Sequence, residues 1–283
     1  MARIKYLLMF IFFSSLHSFA TQKKENIIHL ESTNTGSVAS APEAPVPELF
    51  EKLLTLNKAR IGNSEQIVLV TNENGKSIDV IIQLFEKING QWVEKFTKTK
   101  GTIGRNGFAR YKEKVEGDGK TPTGIFYLGP VFSYPGHKIS TKMKYWEAGE
   151  NDYWIDDKKS NQYNRWVTSD VNPAPNVSCE PMKRTDDKYK YGVAIQYNMD
   201  QIKGKGSVIV VHVLIKPGLE TAGCIAIPEK ELIQIIGWLD PAKKPTLIAG
   251  TVDELLTKPV SGPGLDNNDK YIWKKEEYAP PAK

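Results

Sequence analysis

The chain has 283 residues, 40% of them hydrophobic and 25% charged, with a formal charge of +5 and only two cysteines. Lysines and acids alternate along it, as in Lys112-Glu113-Lys114 and Asp186-Asp187-Lys188, which marks a solvated surface. No basic stripe with interleaved aromatics occurs, so a nucleic-acid groove is excluded.

In chain order, residues 1–20 read as a signal peptide. Arg3 and Lys5 form a positive start, Leu7 to Phe13 are apolar, and Ser18-Phe19-Ala20 offers a small-residue cleavage site. The apolar run is too short for a spanning helix, which needs about 20 residues. No cysteine follows the cleavage site, so no lipoprotein anchor is expected. The expected mature chain is exported, has no membrane span, and carries about +3. Such a weakly cationic protein suits an anionic cell envelope, in the periplasm or at the wall.

Residues 21–65 read as a polar linker ending in a short helix. Ser32 to Pro47 is rich in proline and alanine, and Pro47 to Arg60 places Leu49, Phe50, Leu53, Leu54 and Leu56 at helical spacing. From Gln66 the pattern becomes that of strands. Ile67 to Val70 and Ile78 to Phe85 are β-branched, and Asn89-Gly90 marks a tight hairpin before Trp92 to Phe96. Further strands are expected at Gly124 to Leu128, Gly192 to Tyr197, Ser207 to Leu214 and Thr246 to Ala249. Pro228 opens a helix with Leu232, Ile233, Ile235, Ile236 and Leu239 on one face. Residues 66–250 thus form one domain, mainly β with few helices, and residues 251–283 a polar tail that either packs on it or hangs free.

The chemistry concentrates near the end of that domain. His212 lies between Val211 and Val213, and Cys224 follows twelve positions later with Gly223 before it. A thiol becomes a nucleophile when imidazole takes its proton. A glycine before it lets the Gly223 and Cys224 amides approach a developing oxyanion. Two plainer readings stand beside this one: a packed core histidine, and a buried cysteine that is an inert small hydrophobe. In an oxidising compartment Cys179 and Cys224 also have the option of a disulfide, closing a 45-residue loop worth ~4 kcal/mol.

Other signals are weaker. Gly119-Lys120-Thr121 lacks the glycine of a phosphate loop, since position 114 is Lys114, and Glu116 to Gly124 reads as a tight turn entering a strand. After residue 20 only His29, His137 and His212 remain, without the ligand spacing of a zinc site, so no metal or cofactor is expected. A serine triad lacks its Gly-x-Ser-x-Gly elbow.

Taken together, His212, the block Thr221-Ala222-Gly223-Cys224-Ile225 and the upstream block Gly117-Asp118-Gly119-Lys120-Thr121-Pro122-Thr123-Gly124-Ile125-Phe126 resemble the L,D-transpeptidase catalytic domain of the YkuD type. Tyr163-Asn164-Arg165-Trp166-Val167 and the helix end Trp238-Leu239-Asp240-Pro241 also resemble a branch of that family. The resemblance spans roughly residues 100 to 250 and implies a β-sandwich-like catalytic domain acting on peptidoglycan stem peptides. It implies that Cys224 forms a thioester with a stem tetrapeptide and releases D-alanine. An amine then resolves the thioester to a 3-3 cross-link, with His212 moving the proton. Water as acceptor would make an L,D-carboxypeptidase; a non-catalytic, disulfide-bonded envelope scaffold is the alternative outside enzymology.

Two positions depart from the family pattern. Many members carry Ser or Gly after the histidine and Arg two residues after the cysteine, where this chain has Val213 and Ala226. A backbone carbonyl must therefore orient His212, and the substrate carboxylate needs another holder. Arg165, flanked by Tyr163 and Trp166, is the expected replacement, with Thr221 as a further substrate contact. Tyr163 and Trp166 as packing residues, and Arg165 as a surface cation, form the competing expectation. The sequence sets no oligomeric state.

Overall fold

Strand β1 (Gln66–Asn72) shows how alternating side chains build this protein. Val68 and Val70 enter one apolar cluster and Ile67 and Leu69 another, so both faces are covered. The structure, a computed structural model, describes residues 47–257 and 274–279; the expected signal peptide and residues 21–46 lie outside the described residues.

Both edges of β1 are paired as well. It runs parallel to β15 (Thr246–Thr251) and antiparallel to β2 (Asp79–Ile88). From β15 the pairing continues through β7 (Gly124–Ser133), β12 (Tyr191–Ile195), β13 (Val210–Val213), β14 (Ile225–Ile227) and β4 (Thr99–Thr102) back to β2. The eight strands therefore close on themselves, and two opposing arcs of one ring take the place of the two sheets of a sandwich. The expected mainly β class holds. Closure hides the edges that an open sheet leaves unpaired.

The inner face is lined by Val68, Val80, Ile82, Phe126, Val193, Val211, Ile225 and Leu247. Helix α3 (Glu229–Trp238) adds Leu232, Ile235 and Ile236 to this cluster. Strand β3 (Gln91–Glu94) hangs on β2 through Asn89 (φ 50°) and Gly90 (φ 85°), both left-handed, as an Asn-Gly hairpin requires. Strands β5 (Phe108–Ala109) and β6 (Thr121–Pro122) pair with each other, and β8 (Tyr145–Glu147) pairs with β7.

The expected helix near residue 50 forms as α1 (Glu48–Leu56) and the single turn α2 (Lys58–Ile61). It is part of the packed body rather than a linker. Phe50 is fully buried and stacks on Phe85 with ring centroids 3.6 Å apart, beside Leu53 and Leu255 of α4 (Val252–Thr257).

A second sheet that sequence patterning did not foresee joins β11 (Cys179–Pro181), β9 (Asp152–Ile155), β10 (Arg165–Thr168) and β16 (Glu276–Glu277). Trp154 and Trp166 of this sheet, with Trp146 of β8, pack against Phe132, Val210 and Cys224, so the sheet covers the outer face of the ring where the cysteine lies. The described residues 274–279 of the tail pack on this sheet. β16 runs parallel to β10, and Lys275 Nζ binds both oxygens of Asp152 at 2.8 and 2.9 Å. Asp152 also accepts from Trp166 Nε1 (2.9 Å), Thr168 Oγ1 (3.0 Å) and the Gly149 amide (2.8 Å). Among the described residues no helix is long and apolar enough to cross a membrane.

The Asp152 side chain is 7% exposed and that of Lys275 27%. Lys275→Met strands the buried carboxylate and is expected to cost about 1–3 kcal/mol, less than a fully buried pair because the lysine keeps some water. Urea unfolding checks it, and adding Asp152→Asn to Lys275→Met restores part of the loss.

Candidate active site

The parallel register of β13 and β14 sets Val211 against Ile225 and His212 against Ala226. Val211, Val213, Ile225 and Ile227 point into the inner core. Alternation then turns His212 and Cys224 to the outer face, and both line one cleft of about 350 Å³. Each is deeply placed, with His212 4% and Cys224 7% exposed.

His212 Nδ1 lies 2.9 Å from the carbonyl oxygen of Val213. A carbonyl only accepts, so Nδ1 carries the proton and Nε2 keeps its lone pair. This is the backbone orientation that a valine after the histidine demands. Burial lowers the His212 pKa to about 4, helped by the nearby charges of Lys188 and Arg184 and opposed by the Val213 hydrogen bond. The ring of Tyr189 meets it edge-on, with centroids 5.6 Å apart.

Burial also pushes the Cys224 thiol up to about 11, the Glu180 charge adding to this while hydrogen bonds from Val210 and Tyr189 oppose it. Both the thiol and the imidazole that line the cleft are therefore held in their neutral forms. Sγ–H donates to the Val208 carbonyl at 3.2 Å. Val208 has φ 53°, a costly conformation for a β-branched residue, about 1–3 kcal/mol. Asn164 helps to hold it: its Oδ1 accepts from the Val208 amide (3.2 Å) and from Trp154 Nε1 (3.1 Å).

Two threonine hydroxyls hold the cysteine's own backbone. Thr221 Oγ1 donates to the Cys224 carbonyl at 2.8 Å, and Thr121 Oγ1, from the upstream glycine-rich block, at 3.1 Å. Thr221 thus locks the loop, whatever else it touches. Gly223 has φ 150°, and a Cβ there would lie 2.9 Å from the Lys120 carbonyl oxygen, so only glycine fits. Its amide, expected as one of two oxyanion donors, already donates to Thr221 Oγ1 at 3.1 Å, which leaves the Cys224 amide for that task.

Three expected substrate contacts lie elsewhere. Tyr163 and Trp166 are 0% and 2% exposed and absent from the cleft wall. The Tyr163 hydroxyl donates to Glu116, and Trp166 packs behind Cys224. Arg165 donates to Gln201 at 3.0 Å and lies 3.8 Å from Glu276 of the tail. Alternation explains the difference, because β10 turns Trp166 onto the ring and Val167 to the opposite face with Ile155 and Val177, the side on which the half-buried Arg165 also falls. The wall is built instead from residues that sequence reading passed over: Arg105, Lys114, Arg184 and Lys188, with Glu116, Asp156, Glu180 and Glu220, and Tyr189. No motif signalled them, since long-range pairing brings them together.

Both cysteines are free thiols. Cys179 packs with Ile155, Val167 and Val177, whereas Cys224 belongs to the tryptophan-rich cluster. Among the described residues no group of three or more His, Cys, Asp or Glu side chains is arranged to hold a metal ion.

The depressed His212 pKa has a consequence for stability. An unfolded chain binds the proton near pH 6.5 and the folded one only near pH 4, so stability falls as pH drops through that window and is unaffected above it. Chemical denaturation from pH 7.5 to 4 is expected to show this slope, and His212→Gln to flatten it.

A model of the YkuD family, the L,D-transpeptidase catalytic domain, matches residues 83–252. No curated protein matches the chain. Among solved structures, the chain is similar to the helical cell shape determining protein Pgp2 from Campylobacter jejuni, at 20% identity and a TM-score of 0.37, covering 72% of this chain and 55% of that one. It is also similar to Bd1075 of Bdellovibrio bacteriovorus, at 15% identity and a TM-score of 0.35, covering 66% of this chain and 48% of that one. The chain thus spans about half the length of these two proteins. The family match takes in more than half of the sequence, including both glycine-rich blocks and the His–Cys pair, and the chain belongs to the YkuD family of L,D-transpeptidase catalytic domains.

Proposed function

We propose that this protein is a cysteine acyltransferase acting on peptidoglycan stem tetrapeptides in the cell envelope. The observation that carries the reading is the placement of Cys224 and His212 on the same face of neighbouring parallel strands, opening into one cleft. The Cys224 thiol attacks the carbonyl of the last peptide bond while His212 Nε2 takes its proton. The tetrahedral oxyanion faces the Cys224 amide. Collapse breaks the C–N bond, and the imidazolium returns the proton to the departing amine of D-alanine. The thioester then passes its acyl group to an amine of a second stem, sulfur recovers its proton through His212, and a 3-3 cross-link results.

The neutral resting pair shapes this chemistry. A thiol near pKa 11 and an imidazole near 4 do not form an ion pair at neutral pH, so proton transfer accompanies attack instead of preceding it. The bound carbonyl must also draw the sulfur from the Val208 oxygen. Such a nucleophile is inert toward chance electrophiles until a substrate is seated.

Eight charged side chains line the cleft and keep it wet. This favours a second acceptor, water, which would make the protein an L,D-carboxypeptidase.

Incubation with a purified stem tetrapeptide and mass analysis of the products tests the proposal. Release of D-alanine with cross-linked dimers supports transpeptidation, tripeptide alone supports carboxypeptidation, and unchanged tetrapeptide refutes both. Cys224→Ala is expected to abolish turnover and His212→Ala to lower kcat by about 10²–10⁴-fold. A carbapenem adduct on the intact protein that is lost in Cys224→Ala reports the same nucleophile independently of any acceptor.

A further inference from the structure

Four cations line the cleft, and three of them are engaged. Lys114 pairs with Asp118 at 2.6 Å, Lys188 with Asp186 at 3.1 Å, and Arg184 with Asp186 at 2.8 Å and with Glu180. Arg105 is exposed and has no carboxylate partner among the described residues. Its surroundings hold it in place all the same. The Arg105 amide donates to the Thr221 carbonyl at 2.9 Å, and the preceding Gly104 amide donates to Thr121 Oγ1 at 2.9 Å. Those are the two threonines whose hydroxyls hold the Cys224 carbonyl, so Arg105 and the nucleophile share one anchor.

The side chain has a seat of its own. Gly119 has φ 68°, and a Cβ there would lie 2.9 Å from both Cζ and Nε of Arg105 and 3.0 Å from Cγ. The arginine thus lies across a bare glycine Cα. The turn under it is tied back by Asn106, whose amide donates to the Gly119 carbonyl (2.9 Å) and whose Nδ2 donates to the Asp118 carbonyl (2.8 Å). A guanidinium resting on a glycine, and outside any ion pair among the described residues, is free to meet a planar anion.

We infer that Arg105 binds the terminal carboxylate of the peptide whose last residue is released, so that the cleft accepts a chain end and not an internal bond. The assignment rests on the acyl-transfer reading above. In a substrate attacked at its last peptide bond, this carboxylate lies one residue beyond the reacting carbonyl, and Arg105 is anchored beside the loop that carries the sulfur. Ala226, where many family members have arginine, is 1% exposed and opens no route to the cleft. Arg165, the expectation from sequence, is engaged with Gln201 and the tail.

Binding measured on Cys224→Ala protein, where no turnover occurs, tests this directly. Calorimetry with a stem tetrapeptide and with its C-terminal amide is expected to show the acid bound about tenfold or more tighter. Adding Arg105→Gln should reduce the acid to the affinity of the amide and leave the amide unchanged, with Arg105→Lys intermediate. A misfolded cleft would weaken both ligands together. Equal binding of acid and amide to the Arg105 protein, discrimination that survives Arg105→Gln, or no binding of either peptide overturns the assignment. Discrimination in binding without D-alanine release by the Cys224 protein would leave Arg105 as a carboxylate holder and refute the acyl-transfer reading alone.

Discussion

Val211 faces Ile225 across the parallel strands β13 and β14, and the outward placement of His212 and of Cys224, just before β14, follows from that register. A slip of β14 by one residue would turn Ile225 and Ile227 outward and bring Cys224 into the core, away from the face that His212 occupies. The pattern is guarded by burial, because Val211, Val213, Ile225 and Ile227 are each at most 4% exposed. The hydrophobic effect thus holds the chemistry in place without touching it: side chains on the inner face decide where those on the outer face point.

The second constraint is the pair of threonine hydroxyls on the Cys224 carbonyl. One comes from the cysteine's own loop and the other from a turn 103 residues earlier. A carbonyl has two acceptor directions, and both are occupied here, which keeps the peptide after the sulfur from rotating. Gly223, with positive φ and no room for a Cβ against the Lys120 carbonyl, allows the two loops to approach this closely. The strained Val208, gripped by Asn164, completes the enclosure on the sulfur's other side. Packing and hydrogen bonding therefore sustain a buried, neutral thiol at Cys224.

Local chemistry made much of this readable. The Asn89-Gly90 hairpin, the α3 stripe and the glycine-rich turn each follow from residue types within a few positions, and all form as expected. Val213 after the histidine correctly demanded a backbone carbonyl. The second sheet escaped notice because its strands run only two to four residues and carry Asp152, Arg165, Thr168 and Glu180 among the aromatics, which blurs any period of two. Tyr163 and Trp166 misled for a related reason: an aromatic beside an arginine looks the same in sequence whether it meets a ligand or a core. The identity of the cleft wall was beyond reach, since residues 105, 156, 180, 184 and 220 meet only through pairings distant in the chain.

The contact between Lys275 and Asp152 joins positions 123 residues apart. Ile67 and Thr246 of the ring pair across a still longer separation, so both contacts carry a loop-closure cost that the local hairpins do not. Without the lysine, Asp152 sits as an uncompensated charge under Trp166, and Met182, whose amide donates to the Asp152 carbonyl, is the first residue of the segment that leads to Arg184. The tail's lysine is therefore tied, through Asp152 and Met182, to the segment that supplies Arg184 and Lys188 to the cleft wall. Loosening that lysine would thus reach the cleft wall through the backbone of β9, while the parallel register that positions His212 stays as it is.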